Sequence, residues 1–432
     1  MKIVTIGLGY IGLPTSIMFA NHGQQVIGVD TNKAAIDMLK QGKIHIEEPG
    51  LQKELEQAQQ SGNFKAQLHP EKADVFIIAV PTPNKEDYLK SCDLSYVTNA
   101  VESVLPFLEK GNTVIIESTV APCSTEDHIL PIIEKEGFVV GEDIFLVHCP
   151  ERVLPGHIIH ELVYNNRIIG GVTDACAQAG KKVYEVFVKG ELLLTEAKTA
   201  ELSKLMENTY RDVNIALANE LVKISADLEI NALDVINMAN KHPRVELHQP
   251  GPGVGGHCLA VDPYFIAAAS PKFSPLIQTA REINSSMPDF IIEHTLQLMN
   301  KIEGKKLVVF GLTYKGDIDD IRESPALTIY KRLIYADEFE VIAYDPHVQS
   351  EFVNKDFEKS IENADLVLIL TDHSEFKLLN SEDFKGMRQN YIVDTKNIIE
   401  SDMNELNYFN LGTIYNMHKK DRNKDLVMSS PS

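Results

Sequence analysis

The sequence predicts an α/β protein with two Rossmann-like, doubly wound parallel-sheet domains joined by a long central helix. Three observations predict it. Short apolar runs alternate with amphipathic stretches in the first third, one uninterrupted helical pattern fills the middle, and the last third repeats the first. Such alternation is typical of βαβ units, in which helices cover both faces of a parallel sheet. At 432 residues the chain is too long for one hydrophobic core, so several domains are expected.

The first third contains five candidate strands and three candidate helices. Each strand is a short run rich in Val and Ile, which suits a strand buried on both faces of a sheet. The strands are expected at residues 3–6, 25–29, 75–80, 113–117 and 144–148, and the helices at residues 14–21, 34–40 and 94–108.

A glycine-rich turn follows the first strand. Gly7, Gly9 and Gly12 form a G-x-G-x-x-G pattern, and Asp30 follows the second strand near the spacing of a ribose-binding acid. In this fingerprint the glycines permit a tight turn, the approach of a pyrophosphate and close helix packing. Asp30 would accept hydrogen bonds from ribose and repel a 2′-phosphate, which predicts NAD rather than NADP. The alternative is a turn in which the glycines serve only close packing and bind no cofactor.

One helical pattern runs from residue 196 to residue 230 without Gly or Pro. Its apolar residues fall on or near one stripe, formed by Leu202, Leu205, Met206, Val213, Leu217, Leu221, Ile224 and Leu228. A helix of ~35 residues is about three times the usual length. We expect it to bridge two domains and to support a homodimer; two shorter helices are the alternative.

The last third echoes the first in three segments of the same order. Residues 306–314 resemble 2–10, residues 341–345 resemble 26–30, and residues 364–369 resemble 73–78. Thr313 replaces the middle glycine, so a nucleotide-bearing substrate is expected here rather than a second dinucleotide. The predicted domains are an NAD-binding domain, a central helical and dimerisation domain, a second nucleotide-binding domain and a disordered tail, at residues 1–195, 196–300, 301–420 and 421–432.

The overall charge excludes two classes of partner. The formal net charge of −21 repels nucleic-acid phosphates and anionic lipid. No apolar run reaches the roughly 18 residues that span a bilayer, so neither nucleic acid nor membrane is expected as a partner. Five scattered cysteines form no disulfide framework. Since no signal-peptide cleavage site follows the first apolar run, a cytoplasmic location is expected.

A glycine-rich loop at residues 253–256 precedes a candidate nucleophile. Cys258 follows the loop, and Asp262 lies four residues further on. A helix that begins here would favour the Cys258 thiolate through its dipole. A buried inert thiol is the usual role of a lone cysteine, but the glycines and the acid favour a reactive one. Structural roles are expected for Cys92, Cys123, Cys149 and Cys176.

Polar residues also gather on the long helix and at strand ends. Lys204, Asn208 and Arg211 share one helical face by their spacing, with a solvated surface as the alternative. Parallel sheets bind ligands at the carboxyl ends of their strands. Further candidates follow strands in the sequence: Pro81, Thr82, Ser118, Thr119, Glu151, Arg152, Lys315 and Arg322.

Together these motifs resemble the UDP-glucose/GDP-mannose dehydrogenase family over residues 1–415. The resemblance implies oxidation of a sugar C6 alcohol to a carboxylate with two NAD, through a cysteine thiohemiacetal and thioester. Residues 149–156, 240–245 and 253–263 look like the branch that oxidises UDP-N-acetyl-D-mannosamine for surface polysaccharide synthesis. UDP-glucose or UDP-N-acetylglucosamine is the alternative substrate. Remoter alternatives are a single-hydride β-hydroxyacid dehydrogenase and a non-catalytic NAD-binding regulator.

The resemblance also implies the role of each site residue. Cys258 is the nucleophile, and Glu151 activates the water that hydrolyses the thioester. Lys204 and Asn208 move protons or stabilise an oxyanion, and Asp262 positions a water or Lys204. Thr119 is both a catalytic candidate and one of the NAD contacts, which are Gly7, Gly9, Tyr10, Ile11, Gly12, Asp30, Pro81, Thr82, Ser118, Thr119 and Arg322. The UDP-sugar contacts are Arg152, Val153, Lys204, Asn208, Arg211, His242, Arg244, Gly255, Tyr314, Lys315 and Lys396, and no metal is expected.

Overall fold

The structure is a computed structural model that describes residues 1–401, 403 and 405–418. The chain forms two compact units. The first comprises Met1–Glu207 and Tyr264–Ser274, and the second comprises Asn208–Pro263 and Pro275–Ser432. The predicted tail at residues 421–432 lies outside the described residues, and the division into three folded domains stays a prediction.

The first unit is built on an eight-stranded sheet. Its strands are β1 (Lys2–Ile6), β2 (Gln25–Val29), β3 (Phe64–Gln67), β4 (Val75–Ile78), β5 (Thr113–Ile116), β6 (Phe145–His148), β7 (Arg167–Gly171) and β8 (Leu192–Glu196). The sheet order is β3-β2-β1-β4-β5-β6-β7-β8, and β6 and β7 form its one antiparallel pair. Because helices cover both faces, the central strands are buried throughout, as their β-branched composition predicts.

The helices of the first unit pack on the sheet through their apolar faces. They are α1 (Gly12–Asn21), α2 (Lys33–Lys40), α3 (Leu51–Gln60), α4 (Ser95–Val104), α5 (Leu130–Glu134), α6 (Ile158–Tyr164) and α7 (Asp174–Tyr184). A 3-10 turn at Leu105–Phe107 extends α4, and a π-helical turn at Thr125–Ile129 precedes α5. Several helix starts are capped by side chains; Asn32, for example, accepts hydrogen bonds from two backbone N–H groups of α2.

The predicted elements of the first third are confirmed, with ends displaced by at most two residues when the 3-10 turn after α4 is counted with that helix. The prediction missed β3, β7 and β8 and several helices. The strands β3 and β8 lie at the edges of the sheet and are partly exposed. The sequence of β3 alternates apolar and polar residues and so lacks the continuous apolar run of a central strand. The sequence of β8 begins with three leucines, and the prediction overlooked this run.

The long central helix is confirmed as one element, α8 (Ala197–Asp227), of 31 residues. It continues from the first unit into the second, so the alternative of two fused helices is wrong. Several of its apolar side chains are exposed, namely Leu202, Met206, Tyr210, Leu217 and Ile224, and the exposed Leu228 directly follows the helix. Among the described residues, no helix is long and apolar enough to cross a membrane.

The second unit is built on a six-stranded parallel sheet. Its strands are β9 (Lys306–Phe310), β10 (Glu340–Tyr344), β11 (Val353–Asn354), β12 (Leu366–Ile369), β13 (Tyr391–Asp394) and β14 (Asn407–Asn410). The order is β11-β10-β9-β12-β13-β14. The strands of the predicted repeat, β9, β10 and β12, therefore hold the positions that β1, β2 and β4 hold in the first sheet, which confirms a second Rossmann-like fold.

The remaining helices are α9 (Ala232–Ala239), α10 (Asp262–Ala269), α11 (Pro275–Ser285), α12 (Met287–Lys301), α13 (Pro325–Ala336), α14 (Phe357–Ile361) and α15 (Ser374–Lys377). Short 3-10 turns occur at Pro271–Phe273, Ser381–Phe384 and Ile414–His418. In the second unit, α12 and α13 share one hydrophobic core with β9, to which they contribute residues such as Ile291, Leu298, Ile329 and Leu333.

Candidate active site

The fingerprint turn between β1 and α1 has room for a dinucleotide. A Cβ at Gly12 would lie 1.9 Å from the Gly7 carbonyl oxygen, so only glycine allows α1 to start this close to β1. A Cβ at Gly9 would meet no atom within 4 Å, which leaves the backbone open to a ligand. Tyr10 and Ile11 complete the turn, and Tyr10 is exposed. This turn therefore fits the pyrophosphate of NAD.

Asp30 connects this turn to the next one. The Leu8 N–H donates to Asp30 Oδ2 over 2.8 Å, and the Asn32 N–H donates to Asp30 Oδ1 over 2.8 Å. Each carboxylate oxygen has a second lone pair, so Asp30 can also accept hydrogen bonds from ribose hydroxyls. The sequence predicted the ribose contact but not these backbone contacts.

The segments that follow β4 and β5 are joined by side-chain hydrogen bonds. Val80 N–H donates to Ser118 Oγ over 2.9 Å, and Ser118 Oγ donates to Val80 O over 2.8 Å. Thr82 Oγ1 donates to Thr119 O over 2.6 Å, on the other side of Pro81. The structure thus brings together the four predicted cofactor residues Pro81, Thr82, Ser118 and Thr119 at the carboxyl end of the sheet.

Glu151 lies just beyond β6 and is 9% exposed. The Arg152 N–H donates to Glu151 Oε1 over 2.7 Å, and Arg167 Nη2 donates to Glu151 Oε2. The Arg152 side chain pairs with Glu207 of α8 over 2.5 Å and also donates to a carbonyl oxygen. Val153 packs against the core of the first unit. Glu151 is therefore a buried carboxylate whose two oxygens each receive a hydrogen bond.

A buried ionic cluster surrounds Glu151. Arg167, at the start of β7, donates through Nη1 to Glu117 Oε1 over 3.1 Å, and the Tyr184 hydroxyl donates to the same oxygen over 2.6 Å. Burial raises the pKa of Glu117 to about 7, although the Arg167 guanidinium opposes the shift. Burial also raises the pKa of the Cys149 thiol to about 12, so the thiol stays protonated near neutral pH. The structural role of Cys149 stays a prediction.

Lys204, Asn208 and Arg211 lie on α8 in the predicted spacing. Lys204 and Asn208 are buried, whereas Arg211 is exposed, so a solvated surface describes Arg211 alone among the three. Asn208 Nδ2 donates to Asp262 Oδ2 over 2.6 Å within the second unit. The structure thus brings together two of the predicted catalytic residues.

Cys258 lies in a turn that leads into α10. The N–H groups of Val261 and Asp262 donate to the Cys258 carbonyl oxygen over 3.0 and 2.8 Å. Helix α10 begins at Asp262, so Cys258 precedes the helix by one turn and its side chain is exposed. Asp262 is buried. None of the five cysteines, all of which are described, forms a disulfide.

The loop that carries Cys258 packs tightly against the segment after β9, within the second unit. A Cβ at Gly255 would lie 2.8 Å from the Tyr314 Cβ and 2.5 Å from the Glu323 carbonyl oxygen, so this close approach requires glycine. Lys396 Nζ lies 3.9 Å from the place of a Cβ at Gly251. Two predicted substrate contacts, Gly255 and Tyr314, therefore lie against each other, and a third, Lys396, lies beside Gly251.

A buried polar network fixes the other end of this loop. Arg281 Nη1 donates to Asp212 Oδ1 over 2.6 Å, and Asn284 Nδ2 donates to the same oxygen over 2.8 Å. Asn219 Nδ2 donates to Asn284 Oδ1, and the Gly251 N–H donates to Asn219 Oδ1, both over 2.9 Å. The network connects α8 and α11 to the loop through groups that would be costly to leave unpaired.

A second loop presents His242 and Arg244. The Asn240 side chain closes this loop, because it accepts from the Leu247 N–H over 2.7 Å and donates to the Leu247 carbonyl oxygen over 3.0 Å. His242 and Arg244 are exposed along a groove of about 690 Å³ that Tyr210 and Asn214 of α8 also line.

The second fingerprint differs from the first as predicted. Thr313, at the place of the middle glycine, is buried, and its Oγ1 donates to the Lys315 carbonyl oxygen over 2.7 Å. A buried side chain that binds its own loop thus stands where the first fold has the open glycine. Lys315 is exposed, and Arg322 forms two parallel hydrogen bonds with Asp320.

In the described part of the chain, one cluster has the side chains of a possible metal site: Asp317, His347, His373 and Glu375. Its members already have partners. His373 Nδ1 accepts from the Asp317 N–H over 3.0 Å, and His373 Nε2 lies 3.2 Å from Asp345 Oδ2. These contacts occupy both nitrogens of His373, so we assign no metal to the cluster.

Sequence reasoning missed Glu117, Arg167 and Tyr184 around Glu151, and Asp212, Asn219, Arg281 and Asn284 in the loop network. One signal was available, since Arg167 is a charged residue at the head of the run 167–171, which otherwise holds only Ile and Gly. The loop network offered no signal, because its members lie far apart in the sequence and on amphipathic helices.

Comparison with known proteins identifies the relatives of this chain. The UDP-glucose/GDP-mannose dehydrogenase family matches in three consecutive parts: the NAD binding domain at residues 1–188, the central domain at 198–286 and the UDP binding domain at 308–401. The UDP-N-acetyl-mannosamine dehydrogenase Cap5O from Staphylococcus aureus is 59% identical, with a TM-score of 0.91 over 97% of this chain and 100% of that one. A UDP-N-acetyl-D-mannosamine dehydrogenase from Methanocaldococcus jannaschii is 49% identical over 93% of both chains. An NDP-N-acetyl-D-galactosaminuronic acid dehydrogenase from Ralstonia solanacearum is 42% identical over 91% of this chain and 95% of its own.

Proposed function

Because the chain belongs to the UDP-glucose/GDP-mannose dehydrogenase family, we propose that it oxidises the C6 alcohol of UDP-N-acetyl-D-mannosamine to UDP-N-acetyl-D-mannosaminuronate with NAD. The observation that supports this choice of substrate is the 59% identity to the Staphylococcus enzyme over nearly the whole chain. The product is a precursor for surface polysaccharide synthesis, and a cytoplasmic location suits this role.

The first unit supplies the cofactor site. Gly7, Gly9 and Gly12 hold the pyrophosphate, Asp30 accepts the ribose hydroxyls, and the joined segments after β4 and β5 shape the nicotinamide end. When bound, NAD supplies the hydride acceptor, and two molecules are consumed for each sugar. Arg322 is a further basic residue that we propose as a cofactor contact.

The second unit supplies the nucleophile. The Cys258 thiolate attacks the C6 aldehyde and forms a C–S bond, and the second oxidation converts this adduct into a thioester. The Asn208 amide and the Lys204 ammonium stabilise the negative charge that develops on the sugar oxygen. Asp262, hydrogen-bonded to Asn208 over 2.6 Å, holds that amide in place.

Glu151 completes the reaction as the general base. It takes a proton from water while the water oxygen adds to the thioester carbon; the C–S bond then breaks, and Cys258 leaves as a thiolate. Thr119 is a further catalytic candidate beside the cofactor segments. The anionic UDP group requires local cations on a chain of net charge −21, and Arg152, Arg211, His242, Arg244, Lys315 and Lys396 are the proposed contacts.

We also propose a homodimer. The exposed apolar side chains of α8 recur at helical spacing, and an apolar stripe of this length on a surface helix is typical of a protein interface. The proposed domains are residues 1–195, 196–300 and 301–420, because the family matches the chain in three consecutive parts.

Two substitutions test the covalent mechanism. In Glu151→Gln both oxidations proceed and hydrolysis stops, so we expect a burst of about two NADH per active site and then a slow phase. Intact mass spectrometry should show one sugar nucleotide on the protein, and Cys258 should resist alkylation. Cys258→Ser should abolish steady turnover, because a serine alkoxide forms far less readily than a thiolate at neutral pH.

The matched control is Cys176→Ala, which removes a buried thiol in α7 and should leave the burst and turnover unchanged. If Glu151→Gln shows neither burst nor adduct while Cys258→Ser retains near-normal turnover, the covalent mechanism is wrong. The chain would then resemble a single-hydride dehydrogenase with a structural thiol.

A further inference from the structure

Glu151 shares one buried cation with a second carboxylate. Arg167, 4% exposed, donates to Glu151 through Nη2 and to Glu117 through Nη1. Tyr184 donates its hydroxyl to Glu117 over 2.6 Å, and its ring centroid lies 4.4 Å from the Arg167 guanidinium carbon. Glu117, Arg167 and Tyr184 thus form one buried, connected cluster that contacts the proposed base through Arg167.

We propose that Arg167 is a positioning residue for hydrolysis of the thioester, and that Glu117 sets the strength of its hold on Glu151. Arg167 places a positive charge against the Glu151 carboxyl group and fixes its orientation. This inference rests on the proposed function, because it assigns a partner to the base that the function requires.

The orientation follows from the two donors to Glu151. The Arg152 N–H donates to Oε1 over 2.7 Å and Arg167 donates to Oε2, so the plane of the carboxylate is fixed from both sides. Each oxygen retains a lone pair that can accept the proton of a water. A carboxylate buried without a cation would take up a proton and lose this capacity. Arg167 therefore provides the charge that a buried general base needs.

The second carboxylate limits this stabilisation. One guanidinium cannot balance two ionised carboxylates, so the buried cluster favours protonation of one of them. Burial raises the pKa of Glu117 to about 7, and Glu117 Oε2 has no hydrogen-bond partner among the described residues. Burial also raises the pKa values of Cys149 and Tyr184, so both stay protonated. Glu117 therefore changes its charge near neutral pH while these neighbours do not.

Ionisation of Glu117 changes the electrostatic surroundings of Glu151. When Glu117 is neutral, the positive charge of Arg167 acts on Glu151 alone. When Glu117 is ionised, the two carboxylates share that charge, and the added negative charge favours transfer of a proton from water towards Glu151. Hydrolysis should therefore accelerate as the pH rises through the range near 7 in which Glu117 ionises.

The experiment follows the acyl adduct on Cys258 in single turnovers of the full chain. Samples with UDP-N-acetyl-D-mannosamine and NAD are quenched between pH 6 and pH 9, and the adduct is quantified by intact mass while NADH is measured optically. The variants are Arg167→Met, Arg167→Lys and Glu117→Gln. Arg388→Met is the matched control, because it removes an arginine that binds Asp365 through two hydrogen bonds in the other unit.

We expect Arg167→Met to form the adduct with about two NADH per active site. At pH 7 it should hydrolyse the adduct about 10- to 100-fold more slowly than the wild type, which is part of the acceleration that a general base contributes. The release should recover as the pH rises, and Arg167→Lys should restore part of it because it keeps the charge. Glu117→Gln should remove the acceleration near pH 7 that the wild type shows. Arg388→Met should keep the wild-type pH profile.

A role of Arg167 in stability alone gives a different result. Both oxidations and hydrolysis would then slow together in Arg167→Met, with no adduct and an unchanged pH profile, and this would overturn the proposal. If Arg167→Met does not fold, Glu117→Gln decides, since a wild-type pH profile in that variant also overturns it. A wild type that yields one NADH per sugar would instead refute the proposed function itself.

Discussion

Replacement of Asp30 by Asn tests how the cofactor site is built. The Asp30 carboxylate accepts two backbone N–H groups, from Leu8 in the fingerprint turn and from Asn32 before α2, each over 2.8 Å. Asn retains one acceptor oxygen and turns an N–H donor towards the other N–H group. The variant therefore loses the negative charge, one backbone hydrogen bond and one of the two oxygens proposed to accept hydrogen bonds from ribose.

The expected effect on NAD follows from these contacts. A hydrogen bond to a charged group contributes about 1.5–3 kcal/mol, and each 1.4 kcal/mol changes affinity about tenfold. We therefore expect the KM for NAD to rise about 10- to 100-fold in Asp30→Asn. NADP should be affected less, because the neutral amide no longer repels its 2′-phosphate. The difference between the KM values for NAD and NADP should therefore decrease, mainly because the KM for NAD rises.

The second Rossmann-like fold provides a matched control. Leu312 N–H donates to Asp345 Oδ2 over 2.7 Å, and His347 N–H donates to Asp345 Oδ1 over 2.8 Å, in the same arrangement as at Asp30. Asp345→Asn therefore removes an equivalent structural contact from a fold that is not expected to bind a dinucleotide. Both variants should unfold at lower temperature, whereas only Asp30→Asn should raise the KM for NAD.

The assay measures initial rates of NADH and NADPH formation over a range of cofactor concentrations, with thermal unfolding of each variant in parallel. An unchanged KM for NAD in Asp30→Asn would refute the ribose contact. An equal rise in Asp345→Asn would show that the effect arises from general destabilisation. Equal rates of the wild type with NAD and NADP would refute the assignment of cofactor preference.

Three further predictions follow from the structure. In a panel of UDP-sugars, UDP-N-acetyl-D-mannosamine should be oxidised faster than UDP-glucose, UDP-N-acetylglucosamine or UDP-N-acetylgalactosamine at equal concentration; faster oxidation of another sugar would overturn the substrate and leave the chemistry intact. In sedimentation at micromolar concentration the wild type should be a dimer and Leu217→Arg/Ile224→Arg a monomer, with the exposed Glu220→Arg as the dimeric control; a monomeric wild type contradicts this prediction. Burial lowers the pKa of His148 to about 3, and neither ring nitrogen has a partner among the described residues. The unfolded chain binds a proton at His148 from pH 6.5 downward and the folded chain does not, so the free energy of unfolding decreases as the pH falls from 6.5 towards 3. Chemical denaturation should show that this free energy decreases by about 2 kcal/mol more in the wild type than in His148→Leu between pH 7.5 and pH 5. Equal decreases would contradict this account.

The fold could be predicted where burial makes a pattern visible. Central strands such as β4 and β12 are apolar throughout because both faces are covered, and the uninterrupted apolar spacing of α8 gave a helix of nearly the right length. The edge strand β3 is partly exposed and has no such run, and in the edge strand β8 the apolar run is only three leucines long and partly exposed. The sequence therefore predicts the middle of each sheet better than its edges.

The candidate site could be predicted where a motif is local. The fingerprint glycines and the turn before α10 each lie within a dozen residues, so their spacing carries the information. The partners of Glu151 come from different strands and a helix, because Arg167 begins β7 and Tyr184 ends α7. Such contacts depend on the order of strands in the sheet, which spacing along the chain does not encode.

The repeat shows which part of the fingerprint identifies a cofactor site. Asp30 and Asp345 both accept a hydrogen bond from the leucine N–H that follows their glycine turn, so an acid after the second strand first stabilises the fold and does not by itself indicate a nucleotide. The two turns differ at their middle position. Gly9 leaves open space for a ligand, whereas Thr313 is a buried side chain that binds its own loop. The residue at this one position, rather than the acid, therefore distinguishes the turn proposed to bind a dinucleotide from the turn of the second fold.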